Sequence, residues 1–461
     1  MTPFTIQTLG GGTQVTGSCH LLRADGINLL VDCGLVQGRD QVVPMEDWPV
    51  APSGIDYVFL THAHIDHIGR LPELIRKGFH GEIIATHGTV ALTGPMLRDA
   101  MGFSTMTASE MATLDQTIDS LSWGFEYDET FELKRGLTFR LSRAGHILGS
   151  CFVRFEHERE GWSIIFSGDL GAVDTPILPD PDKPEHCDVL VLESTYGDRV
   201  HEDRSERTRK LGALLERALG DGGKVFIPAF ALGRAQELLY ELDRLRSKDS
   251  ARTTAGPQSN PTPSSGARVR RGPYPVFLDT PLGIRITAIY HELREFWDVE
   301  ARTLLGQGDD PMDFECLYAV KDHRDHLRLV QEVEGPCVIV AGSGMCTGGR
   351  IVDHLAKGLP DPRNDIFFVG YQASGTAGRE ITEKAGRPGA TVRLNGETVA
   401  IRARIHRLTG YSAHADRKGL LGWVEAMDKR PGEIRLVHGE PEARRALADA
   451  LRSKGYDVAD R

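Results

Sequence analysis

Cysteine is the first shortage in this sequence. Its seven cysteines (19, 33, 151, 187, 316, 337 and 346) are odd in number and scattered, and none forms a C-x-x-C pair. That spacing argues against a disulfide framework and against a thiolate zinc site. The cysteines read instead as small buried hydrophobic residues in a reducing cytosol. Long apolar runs are missing too. No stretch of about 18 apolar residues occurs, so no membrane-spanning helix is expected. The opening "MTPFTIQTLGGGTQV" has no basic segment and no apolar core, so no secretory signal is expected; it reads as a first strand and a glycine turn. Net positive charge is also absent, with 54 Lys and Arg against 65 Asp and Glu. A formal charge of −11 speaks against a nonspecific nucleic-acid coat protein. It does not speak against a nucleic-acid enzyme, because metal-holding carboxylates are counted here and their metals are not.

What remains is ordinary globular material. The chain has 461 residues, 40% of them hydrophobic and 26% charged, enough for two domains with packed cores. The first two hundred residues alternate short apolar runs with helical segments. "INLLVDCGL", "IDYVFLTHAH", "LTFRLSRAGH", "SIIFSGDLG" and "DVLVLESTYG" each read as a strand with a polar tip. "HIGRLPELIRKG" has helical spacing. Polar strand tips are where α/β proteins build sites. From about 205, "KVFIPAFALGRAQELL", "YPVFLDTPLGIRITAI" and "PCVIVAGSGMCTGGRIVDHL" repeat a strand, loop and helix order, which predicts a second α/β domain with parallel strands. Residues 247–273 are rich in Ser, Thr, Pro and Gly, and read as a mobile low-complexity loop ending in the basic cluster "RVRR".

The chemistry concentrates in "THAHIDHIG", where His62, His64, Asp66 and His67 fall within six positions after an apolar run. Residues two apart in an extended segment point the same way, so His62 and His64 can grip one ion. Asp66 and His67 follow where a helix begins and can face a second. Imidazole and carboxylate are the ligands zinc accepts when cysteine is lacking. Further ligands are expected at other strand ends: His146 in "AGHILGS", Asp169 in "SGDLG" and His438 in "LVHGE".

These ordered motifs, with Asp32 in "LLVDCGL", resemble those of the metallo-β-lactamase superfamily. Glu193 in "ESTYGDR", His414 in "YSAHAD" and His438 resemble the additional motifs of its β-CASP group, the nucleic-acid-processing branch. Within that group the chain is similar to prokaryotic relatives of the endonuclease subunit that cleaves pre-mRNA before polyadenylation. The resemblance implies an α/β fold: a four-layered αβ/βα sandwich at 1–204 and 406–461, with an inserted α/β β-CASP domain at 205–405. It implies two zinc ions, one held by His62, His64, His146 and Asp169, the other by Asp66, His67, Asp169 and His438. Asp32 would orient ligands by hydrogen bonding. His414 would be a general acid at the start of a helix, held by Glu193, so that His414, Glu193, Asp66 and Asp32 form the catalytic set. The implied reaction is hydrolysis of single-stranded RNA in the cytoplasm, endonucleolytic, by a hydroxide bridging two zincs. Three alternatives stand beside it: a DNA-processing nuclease of the same group, a small-ester or thioester hydrolase, and a catalytically dead RNA-binding scaffold. No membrane partner is expected, and a homodimer is left open. In the second domain, the glycine loops "AGSGMCTGGR" and "GYQASGTAGR" suggest that Ser343, Gly344, Gly375 and Thr376 cradle backbone phosphates.

Overall fold

Alternating apolar strands that end in polar residues need a second apolar face to cover them, and the computed structural model supplies one. It describes residues 4–459 except 39, 103 and 255–273. The chain divides into two units. One is Met1–His201 with Ile289–Trp297 and Ala413–Arg461; the other is Glu202–Ala288 with Asp298–Ser412. The first unit thus takes one short segment, Ile289–Trp297, from inside the stretch that the sequence assigns to the inserted domain.

The first unit contains two six-stranded sheets. In spatial order, one runs Phe4–Gly10, Cys19–Ala24, Ile27–Val31, Tyr57–Phe59, Glu82–Thr86 and Ser122–Phe125. The other runs Glu433–Val437, Val189–Glu193, Trp162–Phe166, Cys151–His157, Leu137–Arg143 and Thr130–Glu132. Their inner faces meet in a single core that joins Leu22, Leu29, Phe59 and Ile84 to Phe139, Phe155, Ile164, Val191 and Val437. Phe59 packs edge-on against Phe139 and Phe155, with ring centroids 5.0 and 4.8 Å away, a favoured aromatic geometry. On the outer side of the second sheet, Leu190, Leu192 and Ile165 are covered by Leu420, Trp423 and Val424 of helix Arg417–Glu425 and by Leu447 and Leu451 of helix Pro441–Ser453. Helices His87–Met101 and Ala108–Leu121 lie against the first sheet. The result is the four-layered αβ/βα arrangement.

The second unit is built on one parallel sheet. Its order is Leu317–Ala319, Val276–Asp279, Cys337–Ala341, Lys224–Pro228, Asp365–Phe368 and Arg404–Arg407. The expected strand, loop and helix repeats are all present, with helices Arg234–Thr254, Pro281–Glu292 and Arg350–Gly358.

Three local readings need correction. The helix expected across "HIGRLPELI" is two short helices, Ile65–Ile68 and Leu71–Arg76. Pro72 is the cause: it has no N–H to bond to Ile68 O, where the first helix ends, yet it fits the first turn of the helix that follows. Second, residues 247–254 of the low-complexity stretch continue helix Arg234–Thr254, since neither Gly nor Pro interrupts the chain before Gly256. The remainder of that stretch, 255–273, lies outside the described residues. Third, His414 does not open a helix. The helix begins at Arg417 behind the N-cap Asp416, and His414 lies before it in a segment bridged to Gly171. Among the described residues, no helix is long and apolar enough to cross a membrane. All seven cysteines are free; six are buried and Cys316 is partly so.

Candidate metal centre

Most chemical side chains of the first unit sit past, or at the last residue of, a strand; Asp66 and His67 lie in the short helix Ile65–Ile68, and His414 lies ahead of helix Arg417–Glu425. Asp32 follows Ile27–Val31, His62 and His64 follow Tyr57–Phe59, and His146 follows Leu137–Arg143. Asp169 follows Trp162–Phe166, Glu193 ends its own strand, and His438 follows Glu433–Val437. The packing of the two sheets therefore gathers residues from the whole length of the sequence at one place.

Two groups form there. His62, His64, His146 and Asp169 bring one ligand atom each within 4.8 Å of one another, as do Asp66, His67 and His438. In the first group, the His64 Nδ1 lies 3.1 Å from the Nε2 atoms of both His62 and His146. Asp169 Oδ2 is 3.5 Å from His62 Nε2 and 3.7 Å from His146 Nε2. In the second group, His67 Nε2 and His438 Nε2 face each other at 3.2 Å, and Asp66 Oδ2 is 3.5 Å from His438 Nε2. Asp169 reaches this group as well, through Oδ2 at 3.3 Å from His67 and Oδ1 at 3.6 Å from His438.

These spacings fit a cation. Four ligands about 2.0–2.1 Å from a tetrahedral centre stand about 3.3 Å apart. Hydrogen bonding leads to the same conclusion. His67 Nδ1 lies 2.7 Å from Asp32 Oδ2, so the ring donates there; burial works to lower its pKa, but Asp169, Asp32 and Asp66 raise it well above the ordinary value, so Nε2 turns to the group as a lone pair where a cation replaces its proton. His62 Nδ1 is committed at 3.1 Å to the Thr61 hydroxyl, which itself donates to Asp32. Asp169 Oδ1 is buried without a hydrogen-bond partner. Bare imidazole nitrogens and an unsatisfied carboxylate oxygen, all buried, are costly unless a cation lies among them. Burial holds the His62, His64 and His146 imidazoles neutral, His64 with a pKa lowered to about 4, and neutral imidazole is the form that binds metal.

His414 shares Asp169 with these groups, in a further set completed by Glu193 whose ligand atoms also lie within 4.8 Å of one another. Its Nδ1 is 3.3 Å from each oxygen of Glu193 and 3.8 Å from Asp169 Oδ2. Burial works to lower its pKa, but Glu193 and Asp169 outweigh burial and raise it to about 9. The fully buried Glu193 also accepts the Leu170 amide at 2.7 Å, which fixes the loop carrying Asp169. Sequence reasoning missed Thr61 and Thr195. Both flank ligand motifs, but a threonine carries no distinctive signal until its hydroxyl is seen against a histidine. It also missed His20, a neutral buried imidazole lodged between the Thr8 and Ser18 hydroxyls.

A buried trio in the second unit invites the same metal reading: Asp279, His326 and His354. Distances decide against it. His326 Nδ1 and His354 Nε2 approach Asp279 Oδ2 to 2.7 and 2.6 Å, which are hydrogen-bond lengths and too short for neighbouring ligands on one ion. Arg350 already neutralises Asp279 through Oδ1 at 2.7 Å. The trio is a hydrogen-bonded clamp fastening helix Arg350–Gly358 to the end of strand Val276–Asp279.

The glycine loops that the clamp adjoins are shaped by packing. A Cβ on Gly344 would come within 2.8 Å of the Phe230 ring. The Ser343 amide donates to Gly348 O at 3.2 Å, and the Thr376 amide to Ala373 O at 3.2 Å. Thr376 is the N-cap of helix Ala377–Lys384. Ser343 and Thr376 therefore have their amides engaged within the loops. The phosphate reading is left to the amides of Gly344 and Gly375.

Comparison with known proteins identifies the family. The metallo-beta-lactamase superfamily matches residues 12–229, the Beta-Casp domain 235–381, and the Zn-dependent metallo-hydrolase RNA specificity domain 398–459. The chain belongs to the β-CASP group of the metallo-β-lactamase superfamily and is a metallo-hydrolase. Among its relatives, ribonuclease TTHA0252 of Thermus thermophilus is 38% identical over 98% of this chain and 97% of its own length. Proteins named transcription termination factor FttA from Methanocaldococcus jannaschii and Pyrococcus abyssi are each 30% identical over 97% of this chain and 68% of theirs. A crystal structure of a protein of unknown function from Enterococcus faecalis V583 shares the fold, with a TM-score of 0.55 at 10% identity, covering 99% of this chain and 98% of that one.

Asp279→Ala should lower stability by about 3–5 kcal/mol, because it strands the Arg350 guanidinium and leaves the buried His326 and His354 rings without their shared acceptor. The same variant should leave the bound metal unchanged. Denaturant unfolding and elemental analysis of one preparation read both; loss of metal would make the trio a binding site after all.

Proposed function

We propose that this protein is a zinc-dependent ribonuclease that cuts single-stranded RNA internally, with two zinc ions and His414 as general acid. The observation that carries this reading is His414: an imidazole whose Nδ1 faces Glu193 beside Asp169, the carboxylate that both ligand groups share. The names of the relatives and the RNA-specificity match support RNA as the polymer. Seven free cysteines fit a reducing compartment, the cytoplasm.

His62, His64, His146 and Asp169 would hold one ion, and Asp66, His67, His438 and Asp169 the other. When bound, such ions lower the pKa of water and neutralise charge on a phosphoryl group. The protein's own work is positional and protonic. Asp32 and Thr61 fix the directions of His67 and His62. Glu193 holds His414 through Nδ1 and keeps it charged, so that its other ring nitrogen gives a proton to the leaving oxygen. The Gly344 and Gly375 amides of the second unit would receive backbone phosphates, which lets an acidic protein bind a polyanion.

The test is incubation of the purified protein with end-labelled linear RNA, circular single-stranded RNA and matched DNA. Cutting of the RNA circle is expected, and failure to hydrolyse any of these polymers would sink the proposal. His414→Ala should retain zinc and RNA affinity while cleavage falls by about 10²–10⁴-fold. Loss of an ion in that variant would make His414 a ligand. The working form of His414 is the protonated one, present below its raised pKa. Cleavage should therefore hold up to, and fall through, about pH 9. Glu193→Gln should move that falling limb to lower pH, measured as a pH–rate profile.

A further inference from the structure

We propose that Thr195 is a positioning residue for the second ion: its hydroxyl fixes His438 in the tautomer that turns a bare Nε2 toward Asp66, His67 and Asp169. This inference rests on the two-ion reading above. It starts from the backbone of His438, whose φ is 51°. A non-glycine residue adopts this left-handed conformation only at a cost, so the surrounding structure has to hold it there. The His438 amide donates to Gly11 O at 2.7 Å, and the Ser194 amide donates to His438 O at 3.3 Å. Thr195 supplies the remaining two contacts. Its Oγ1 lies 3.1 Å from His438 O and 3.1 Å from His438 Nδ1.

A hydroxyl carries one proton. A carbonyl oxygen can only accept, so the Thr195 proton goes to His438 O. The hydroxyl oxygen must then accept from the ring, which places the imidazole proton on Nδ1. Nε2 is left as a lone pair, facing His67 Nε2 at 3.2 Å, Asp66 Oδ2 at 3.5 Å and Asp169 Oδ1 at 3.6 Å. His67 is set in the same tautomer by a carboxylate, Asp32. His438 is set by a neutral hydroxyl, which orients the ring without adding charge. Thr195 has one more contact: its amide donates to Glu193 Oε2 at 3.3 Å. One short segment, Glu193 to Thr195, therefore aligns both the histidine that would hold an ion and the one that would donate a proton.

The test compares wild type, Thr195→Val and Thr195→Ser. Zinc content is measured in protein purified without chelator, and zinc affinity by competition with a chromophoric chelator. Valine keeps the shape and removes the hydroxyl. It should weaken one of two ions by about 10–100-fold, the usual effect of losing a ligand's hydrogen-bond partner, and leave the other in place. Serine should restore the wild-type affinity. Two ions bound by Thr195→Val with unchanged affinity would overturn the inference, as would a serine variant that behaves like valine. Wild type that binds only one ion would instead overturn the two-ion reading. A direct measurement needs no variant: ¹⁵N spectra of histidine-labelled, metal-loaded wild type should show His438 protonated at Nδ1 and ligating through Nε2. The opposite assignment would overturn the proposal even if Thr195→Val failed to fold.

Discussion

The first unit is organised around an electrostatic constraint: imidazole lone pairs and carboxylate oxygens are crowded together out of water. Two Nε2 atoms face each other at 3.2 Å, each with its ring proton held on the far side. Such an arrangement repels itself and is favourable only around a cation. The hydrogen bonds that Asp32, Thr61 and Thr195 accept from the rings are what prevent the rings from turning away. These three residues belong to neither ligand group, yet on the proposed reading they determine which atoms an ion would meet.

The fold answers this constraint with strand ends. Both sheets of the first unit contribute, and the parallel pairs Ile27–Val31 with Tyr57–Phe59, Trp162–Phe166 with Val189–Glu193, and Val189–Glu193 with Glu433–Val437 bring their C-terminal ends side by side. A strand interior is fixed by the core between the sheets, so the residue just past it inherits a defined position. His438 illustrates the point. Its strand pairs with Val189–Glu193 through Val437 opposite Glu193, which places Thr195 beside the imidazole.

Much of this was legible in the residues. Asp, His and Glu after apolar runs are conspicuous, and their types restrict the chemistry before any contact is known. The α/β character followed from the same runs, and the layered arrangement from the resemblance carried by the family motifs. Other features depend on partners that sequence does not display. Thr61 and Thr195 look like any threonine until a ring nitrogen lies beside them. Asp279, His326 and His354 look like ligands in isolation and prove to be a clamp only when Arg350 and the short hydrogen bonds are measured. Ser343 and Thr376 looked available to phosphate, but the loops use their amides in closing. His414 was placed at a helix start because Asp416, the true cap, lies two residues on.

The position of His438 in the chain has a consequence for biogenesis. It meets His67 across 371 residues of sequence, and its strand comes after the entire second unit. Synthesis runs from the N-terminus, and domains fold as they emerge. A growing chain therefore carries His62, His64, His146 and Asp169 long before it carries His414 or His438. On the proposed roles the reactive constellation would be completed last, and a nascent polypeptide still attached to its messenger would be chemically silent toward it.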